Sequence, residues 1–187
     1  MEDLIFFLNS IHPLSDGLRN YLAQTIQAKT IKKRDYLLKA GRVCDQIYFI
    51  EKGLLRCFYL KNLSEVCSWF MKEGDVAISI ESFFLQKPSY ESIQAVEETA
   101  LHYISYKDLQ YIYNQFPEFN FIGRVLTEKY YSQSEQRLYA IRMQRADERY
   151  GYLMQNLPEL IKRVPSSYIA SYLGITLETL SRIKSKR

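Results

Sequence analysis

Glu178 and Arg182 stand four residues apart, and Leu177 and Ser181 repeat that spacing beside them. On a helix, side chains at i and i+4 share a face, so the four would form one strip. The chemistry open to such a strip is hydrogen bonding to the edges of base pairs. An arginine fork matches guanine O6 and N7, a glutamate accepts from cytosine N4, a serine serves either role, and an apolar side chain can lie against a thymine methyl. The competing reading of Glu178 and Arg182 is a surface ion pair along one helix, worth a few tenths of a kcal/mol.

Such a strip must be held by something rigid, and the residues around it specify two short helices joined by a sharp turn. Ile169, Leu173, Ile175, Leu180 and Ile183 are spaced to share a small core, and Ala170 is small enough to let the helices approach. Gly174 supplies the left-handed residue that ends the first helix. Thr176 is placed to cap the second. This is the spacing of a helix-turn-helix, whose second helix enters the DNA major groove; the plainer reading is an ordinary helical hairpin. Ser166, Ser167, Thr176, Thr179, Lys184 and Lys186 are the candidates for phosphate contacts, which position a protein without reading sequence.

Charge is distributed in keeping with this. From Lys162 onward there are six basic residues (Lys162, Arg163, Arg182, Lys184, Lys186, Arg187) against one acidic residue, Glu178. That segment therefore carries +5, and the chain's net +4 leaves −1 on residues 1–161. Phosphate neutralisation supplies most non-specific DNA affinity, so cations belong where a DNA reader lies.

Composition narrows the remaining classes. A chain of 187 residues with 47% hydrophobic content can bury one sizeable core, or one plus a small second domain. Sixteen Tyr and ten Phe make that core aromatic. No apolar run approaches the ~20 residues of a membrane span, and the start of the chain lacks the basic region and cleavage site of a secretion signal. Three cysteines at no metal spacing suit a reducing compartment. The expectation is a cytoplasmic protein with no membrane contact. Only two histidines, His12 and His102, are present, far apart. A roll-type metal enzyme, which needs a His and Glu cluster, is not supported. No metal, no cofactor and no catalytic residue is expected.

Along the chain, residues 2–27 read as one or two short helices broken at His12-Pro13, with Ser15-Asp16 as a cap. Residues 29–106 become strand-like. Runs at 47–50, 54–60, 66–71, 93–96 and 101–104 are β-branched or aromatic, separated by turn signals at Ala40-Gly41, Lys52-Gly53, Lys61-Asn62, Glu73-Gly74-Asp75 and Lys87-Pro88. Short strands at this interval suggest a small antiparallel barrel or roll. A helix over 107–115 ends at Phe116-Pro117. Residues 118–145 read as a helix ~40 Å long, with Phe119, Ile122, Val125, Leu126, Tyr130, Leu138 and Ile141 near one apolar stripe. Such a helix pairs along its length or spans two domains. A helix over 147–157 then leads by a short link into the helix-turn-helix. If Lys61-Asn62-Leu63 is a hairpin loop, pairing about residue 62 sets Cys57 opposite Cys67, a redox switch or simply two buried thiols.

Roll, long helix, helix-turn-helix is the order of the Crp/Fnr transcription factors, and particular residues carry the resemblance. Lys52-Gly53 followed by Glu73-Gly74-Asp75 resembles that family's glycine-marked roll turns. Ile104-Ser105-Tyr106-Lys107 with Phe116-Pro117 resembles its roll exit and the start of its dimer helix. Thr176-Leu177-Glu178-Thr179-Leu180-Ser181-Arg182 is similar to its recognition helix, Ser/Thr-Arg-Glu-Thr-Val-x-Arg, with Leu177 where the first Arg is usual. The resemblance implies an α+β fold: an antiparallel, cyclic-nucleotide-binding-like β-roll, a long dimerisation helix, and a C-terminal all-α helix-turn-helix domain; in a departure from the family, that domain is expected to lack a wing, since four residues follow Ile183. The expected divisions are 1–117 for the effector domain, 118–145 for the dimer helix and 146–187 for the DNA-binding domain. It implies a homodimer on double-stranded DNA, with RNA polymerase as a further candidate partner and an unknown small-molecule effector.

Two departures from the family bear on that effector. Cyclic-nucleotide members carry a phosphate cassette, Gly-Glu-Leu and then Arg-Ser/Thr about ten residues on. Here Ile78-Ser79-Ile80 and Ser89-Tyr90 occupy those positions, and losing the Arg removes a charge-assisted contact worth ~1.5–3 kcal/mol. Ile78, Ser79, Ser89, Tyr90 and, on the long helix, Ser134 mark the corresponding effector pocket. The iron–sulfur branch uses N-terminal cysteines, and none precedes Cys44. The sequence reading is a dimeric transcription regulator whose effector is not cyclic AMP. The alternative is a ligand-sensing module that regulates a protein partner without reading DNA.

Overall fold

Helices and strands alternate in blocks that follow the local signals, in a computed structural model that describes residues 1–186. Arg187, counted above in the basic tail, lies outside the described residues. The chain divides into two compact units, one of residues 1–57 and 70–128 and one of residues 58–69 and 129–187.

The first unit opens with α1 (Glu2–Ile11), which stops before His12-Pro13, and α2 (Asp16–Thr25). The Ser15 hydroxyl caps α2 by accepting from the Leu18 amide at 3.2 Å. Eight strands follow: β1 (Gln27–Ile31), β2 (Tyr36–Leu38), β3 (Gln46–Lys52), β4 (Leu55–Lys61), β5 (Ser64–Met71), β6 (Val76–Ala77), β7 (Ser92–Ala95) and β8 (Thr99–Ser105). They form two four-stranded sheets, ordered β1-β8-β3-β6 and β2-β7-β4-β5. The β1–β8, β2–β7, β3–β6 and β3–β8 ladders are antiparallel; β3 meets β8 with Phe49 opposite His102, and β1 meets β8 with Ala28 opposite His102. Ile50, Leu54, Leu55, Ile93 and Leu101 fill the interior and are almost wholly buried. A short α3 (Ile80–Leu85) interrupts the strands, ending at Gln86 in the left-handed conformation. The strands β1, β2 and β6 and helix α3 had no sequence signal: each is short, and none has a sustained apolar alternation.

Ser105 begins α4 (Tyr106–Gln115) with a capping box. Its hydroxyl accepts from the Asp108 amide, and the Asp108 carboxylate accepts from the Ser105 amide. Pro117 then serves as the first residue of α5 (Pro117–Met143), a position where its missing N–H costs nothing. Within this unit Phe119 and Ile122 are buried at 7% and 0% exposure. That corrects their expected place at a dimer interface, because their own unit already covers them.

The second unit holds the outer ends of β4 and β5, the rest of α5, α6 (Ala146–Asn156), α7 (Pro158–Arg163), α8 (Ser166–Leu173) and α9 (Leu177–Ser185). Residues 158–163, expected as a link, are helical because Pro158 starts a fresh turn at its N-terminus. Tyr150, Leu153, Leu160, Val164, Ile169, Ala170, Leu173 and Leu180 form the core, with Ile175 and Ile183 at its edge. The hairpin joining β4 and β5 turns through Asn62 and Leu63, at φ +50° and +65°. Two consecutive left-handed residues make a two-residue turn flanked by Lys61 and Ser64. The pairing therefore runs one residue away from the register that would set Cys57 opposite Cys67. Cys44, Cys57 and Cys67 are buried thiols with no disulfide.

Candidate nucleic-acid interface

The turn between α8 and α9 sets the geometry of the strip. Gly174 sits at φ +67°, and its amide closes back on the carbonyls of Ala170 and Ser171. The Thr176 hydroxyl then accepts from the Thr179 amide at 3.2 Å, capping α9. Leu180 points inward with no exposed surface. Its burial fixes the rotation of α9 and sends Leu177, Glu178, Ser181 and Arg182 outward, where with Ser185 they share one exposed face.

The charged pair on that face is not engaged with itself. Among the described residues no ion pair joins Glu178 to Arg182; the guanidinium instead approaches the Thr179 hydroxyl at 3.5 Å. Glu178 lies in the first turn of α9, where its own backbone N–H and the Thr176 hydroxyl hold its carboxyl below the usual range. The carboxylate is thus ionised and able to accept. Ser166 and Ser167 are exposed at the start of α8, and the Lys184 ammonium donates to the Ser166 hydroxyl at 3.1 Å. Lys186 is exposed beyond α9. Thr176 and Thr179 are occupied by the cap.

What holds α8 was not legible beforehand. The Ser171 hydroxyl accepts from the Cys67 amide at 2.9 Å and donates to the Glu65 carbonyl at 3.1 Å, so it bridges two backbone groups of β5. Arg137 of α5 donates to the Ser68 carbonyl at 2.8 Å and to the Tyr172 carbonyl at 2.5 Å, with its guanidinium 3.6 Å over the Tyr172 ring. Burial pushes the Tyr172 phenol up, against the opposing pull of Arg137. Arg149 of α6 donates to the Leu173 carbonyl at 2.9 Å. Two arginines thus satisfy carbonyls at the C-terminal end of α8, where cations are favoured.

The other residues expected to line an effector pocket are only partly brought together. Ser79 and Ser89 are buried, with hydroxyl oxygens 3.0 Å apart. Ser89 donates onward to the Glu91 carbonyl at 2.9 Å, which leaves Ser79 as the donor within the pair. Ile78 is half-buried beside them, whereas Tyr90 is 62% exposed. Ser134 is exposed on the part of α5 in the second unit. Near the serine pair the Cys57 thiol donates to the Glu91 carboxylate at 2.8 Å. Arg56, a lone cation in an apolar strand run, is buried with Nε and Nη2 on Gln94 Oε1 at 3.0 and 2.6 Å. On the rest of the expected dimer stripe, Val125, Leu126 and Tyr130 are half-buried, and Leu138 and Ile141 are exposed. No group of His, Cys, Asp or Glu among the described residues could hold a metal ion, and no described helix is long and apolar enough to cross a membrane.

Residues 28–116 match the family model of the cyclic nucleotide-binding domain. No curated protein sequence matches the chain. Among solved structures it is similar to FixK2 from Bradyrhizobium japonicum, at 18% identity and TM-score 0.70, over 86% of this chain and 83% of that one. It is also similar to CLP, a c-di-GMP-responsive global regulator of Xanthomonas campestris, at 14% identity and TM-score 0.74, over 92% and 91%. A Eubacterium rectale protein assigned to the Crp/Fnr family matches at 17% identity and TM-score 0.71, over 91% and 82%.

Proposed function

We propose, for a chain whose residues 28–116 match the cyclic nucleotide-binding domain model and whose fold is similar to that of the Crp/Fnr regulators, that it is a dimeric transcription regulator reading double-stranded DNA through α9. The observation that carries this reading is the rotation of α9: a buried Leu180 and a capped Thr176 leave Leu177, Glu178, Ser181 and Arg182 exposed on one face. Arg182 is then the guanine reader and Glu178 the acceptor for cytosine N4, with Leu177 on a thymine methyl and Ser181 on a neighbouring base edge. Ser166, Ser167, Lys184 and Lys186 bind phosphates, and Thr176 and Thr179 act chiefly as the cap.

The dimer forms on the apolar residues of α5 that remain exposed, Leu138 and Ile141 first, with Val125, Leu126 and Tyr130 at its margin. Two recognition helices related by that dimer's axis fit half-sites about one helical turn apart, roughly 34–36 Å. The protein acts in the cytoplasm, not as an enzyme, with RNA polymerase as the downstream partner. The effector is not a cyclic mononucleotide: Ser79 and Ser89 provide neutral hydroxyls, already hydrogen-bonded to each other, where a phosphate would need a cation.

Selection of bound duplexes from a random pool tests the function. A pseudo-palindromic consensus with G·C pairs at matched positions in its two halves is the expected result. A pool that stays random, with no affinity for any duplex, would leave the ligand-module reading in its place.

A further inference from the structure

A dimer that reads DNA must hold two elements in register: the helix that pairs the subunits and the helix that reads bases. Arg137 lies between them. On α5 it directly precedes Leu138, an exposed apolar residue assigned above to the dimer, and its guanidinium reaches α8, which leads into α9. All of these residues belong to the second compact unit.

The guanidinium is committed to two carbonyls and a ring. Nε donates to the Ser68 carbonyl of β5 at 2.8 Å, Nη2 donates to the Tyr172 carbonyl in the last turn of α8 at 2.5 Å, and the group lies 3.6 Å over the Tyr172 ring. Among the described residues no carboxylate pairs with it. Withdrawing a cation from water with only neutral acceptors around it is a costly way to join two helices, and apolar packing alone would join them. What the fork adds is orientation. Its donors are coplanar and fixed, so they meet two carbonyls and one ring face in a single pose of α8 against α5 and β5.

That pose passes to α9 through short links. Ser171 ties α8 to Glu65 and Cys67 of β5, Arg149 donates to the Leu173 carbonyl, and past Gly174 the Ile175 amide returns to the Ala170 carbonyl at 3.0 Å. Leu180, with no exposed surface, seats α9 on the same core. Arg182 is ~7.5 Å along α9 from Leu177. A tilt of about 10° of α8 and α9 on α5 would displace it by roughly 1 Å, against the ~0.5 Å within which a working site must be held.

We propose that Arg137 is a positioning residue that fixes the separation of the two recognition helices in the dimer, and with it the half-site spacing that the protein accepts. The inference rests on the dimeric DNA-reading function above. Base choice within a half-site belongs to the side chains of α9. Arg137 touches no base and sets where each α9 is carried relative to the dimer helix.

The test uses the whole protein and duplexes that carry two selected half-sites at the selected spacing, or with one base pair added or removed between them. One base pair shifts a half-site by ~3.4 Å and turns it by roughly 35°. Wild type should lose about tenfold or more on each altered spacing, the scale of one lost base contact. Arg137→Lys, which keeps the charge without the fork, should bind the three spacings nearly alike, with its half-site consensus, salt slope and circular dichroism unchanged. Arg137→Met, which keeps the packing without the donors, should do the same. A residue that only stabilises the fold would instead weaken all spacings together and lower the melting temperature. The proposal is overturned if both variants keep the wild-type spacing preference, if they weaken every spacing by the same factor, or if their half-site consensus changes. Wild type separates this failure from that of the function beneath it: binding to a single half-site with no preferred spacing would remove the dimeric reading, and no binding to any duplex would remove DNA reading, each taking this inference with it.

Discussion

Gly53→Ala should be among the most damaging single-methyl changes in this chain. Gly53 sits between β3 and β4 at φ +108°, well beyond the left-handed helical well that asparagine or arginine can occupy. A Cβ placed there would lie 2.5 Å from Thr99 Oγ1, 2.6 Å from the Glu98 carbonyl oxygen and 2.7 Å from Thr99 Cα. Two of those atoms are backbone and cannot rotate away. Thr99 is fully buried, and its hydroxyl is tied to the Glu97 carbonyl at 2.9 Å. The Gly53 amide is also held, donating to Glu73 Oε1 at 2.8 Å. The positive φ alone costs ~1–2 kcal/mol, and forcing a methyl into a packed site adds ~1–3 kcal/mol, giving about 2–5 kcal/mol. Against a typical total of ~5–15 kcal/mol this is a large share. Urea unfolding followed by far-ultraviolet circular dichroism measures it, as a lowered midpoint at unchanged slope. A loss under ~0.5 kcal/mol, the scale of an ordinary surface change, would refute the reasoning and mean that the turn relaxes freely around the methyl.

Other residues give sharper functional readouts. Arg182→Ala should cost ~1–3 kcal/mol on the selected site and relax one base position with little effect on random DNA, whereas Lys184→Ala should weaken both and lower the salt slope by about 1; equal loss of both DNAs in Arg182→Ala would remove its readout role. Ser15→Ala should cost ~1 kcal/mol by removing the α2 cap. The Ser15 hydroxyl also donates to Glu118 at 2.6 Å and, with other hydrogen bonds, holds that carboxyl below its usual range. A depressed carboxyl stabilises the fold above its unfolded pKa and loses that contribution as pH falls through the folded value, so the deficit of Ser15→Ala should shrink below about pH 4; a deficit constant with pH would refute the pairing. Leu138→Glu with Ile141→Glu should give monomers by light scattering with unchanged circular dichroism, and a persistent dimer would place the interface elsewhere. Calorimetry with cyclic AMP and cyclic GMP should show no binding, and a micromolar constant for either would show that a group other than Ser89 neutralises the phosphate.

The α8–turn–α9 geometry was legible because everything that specifies it is local: a glycine, a capping threonine and five apolar residues at helical spacing. The longer strands were legible from β-branched and aromatic runs, but β1, β2 and β6 were not, since they are held by ladders with distant strands more than by their own pattern. Periodicity on α5 identified an apolar stripe without saying what covers each part of it. The structure assigns Phe119 and Ile122 to the chain's own core and leaves Leu138 and Ile141 exposed. The thiol register failed for a related reason: nothing in Asn62-Leu63 announces a leucine at φ +65°, and one residue of slip turns a strand's side chains to the other face. Arg137 and Ser171 were invisible as a clamp because they act on backbone atoms far away in sequence.

That clamp has a consequence for how the chain can be cut. Strand β5 is the last in its sheet, and an edge strand offers unpaired amides and carbonyls to any passing chain. Ser171 occupies the Cys67 amide and the Glu65 carbonyl, and Arg137 occupies the Ser68 carbonyl. Helix α8 therefore works as a guard on the sheet as well as a support for α9. A shortened chain ending before Ser166 would keep its roll and lose that guard. It would be expressed as a sticky fragment, prone to edge-to-edge self-association, even though every residue removed lies outside residues 28–116, which match the domain model.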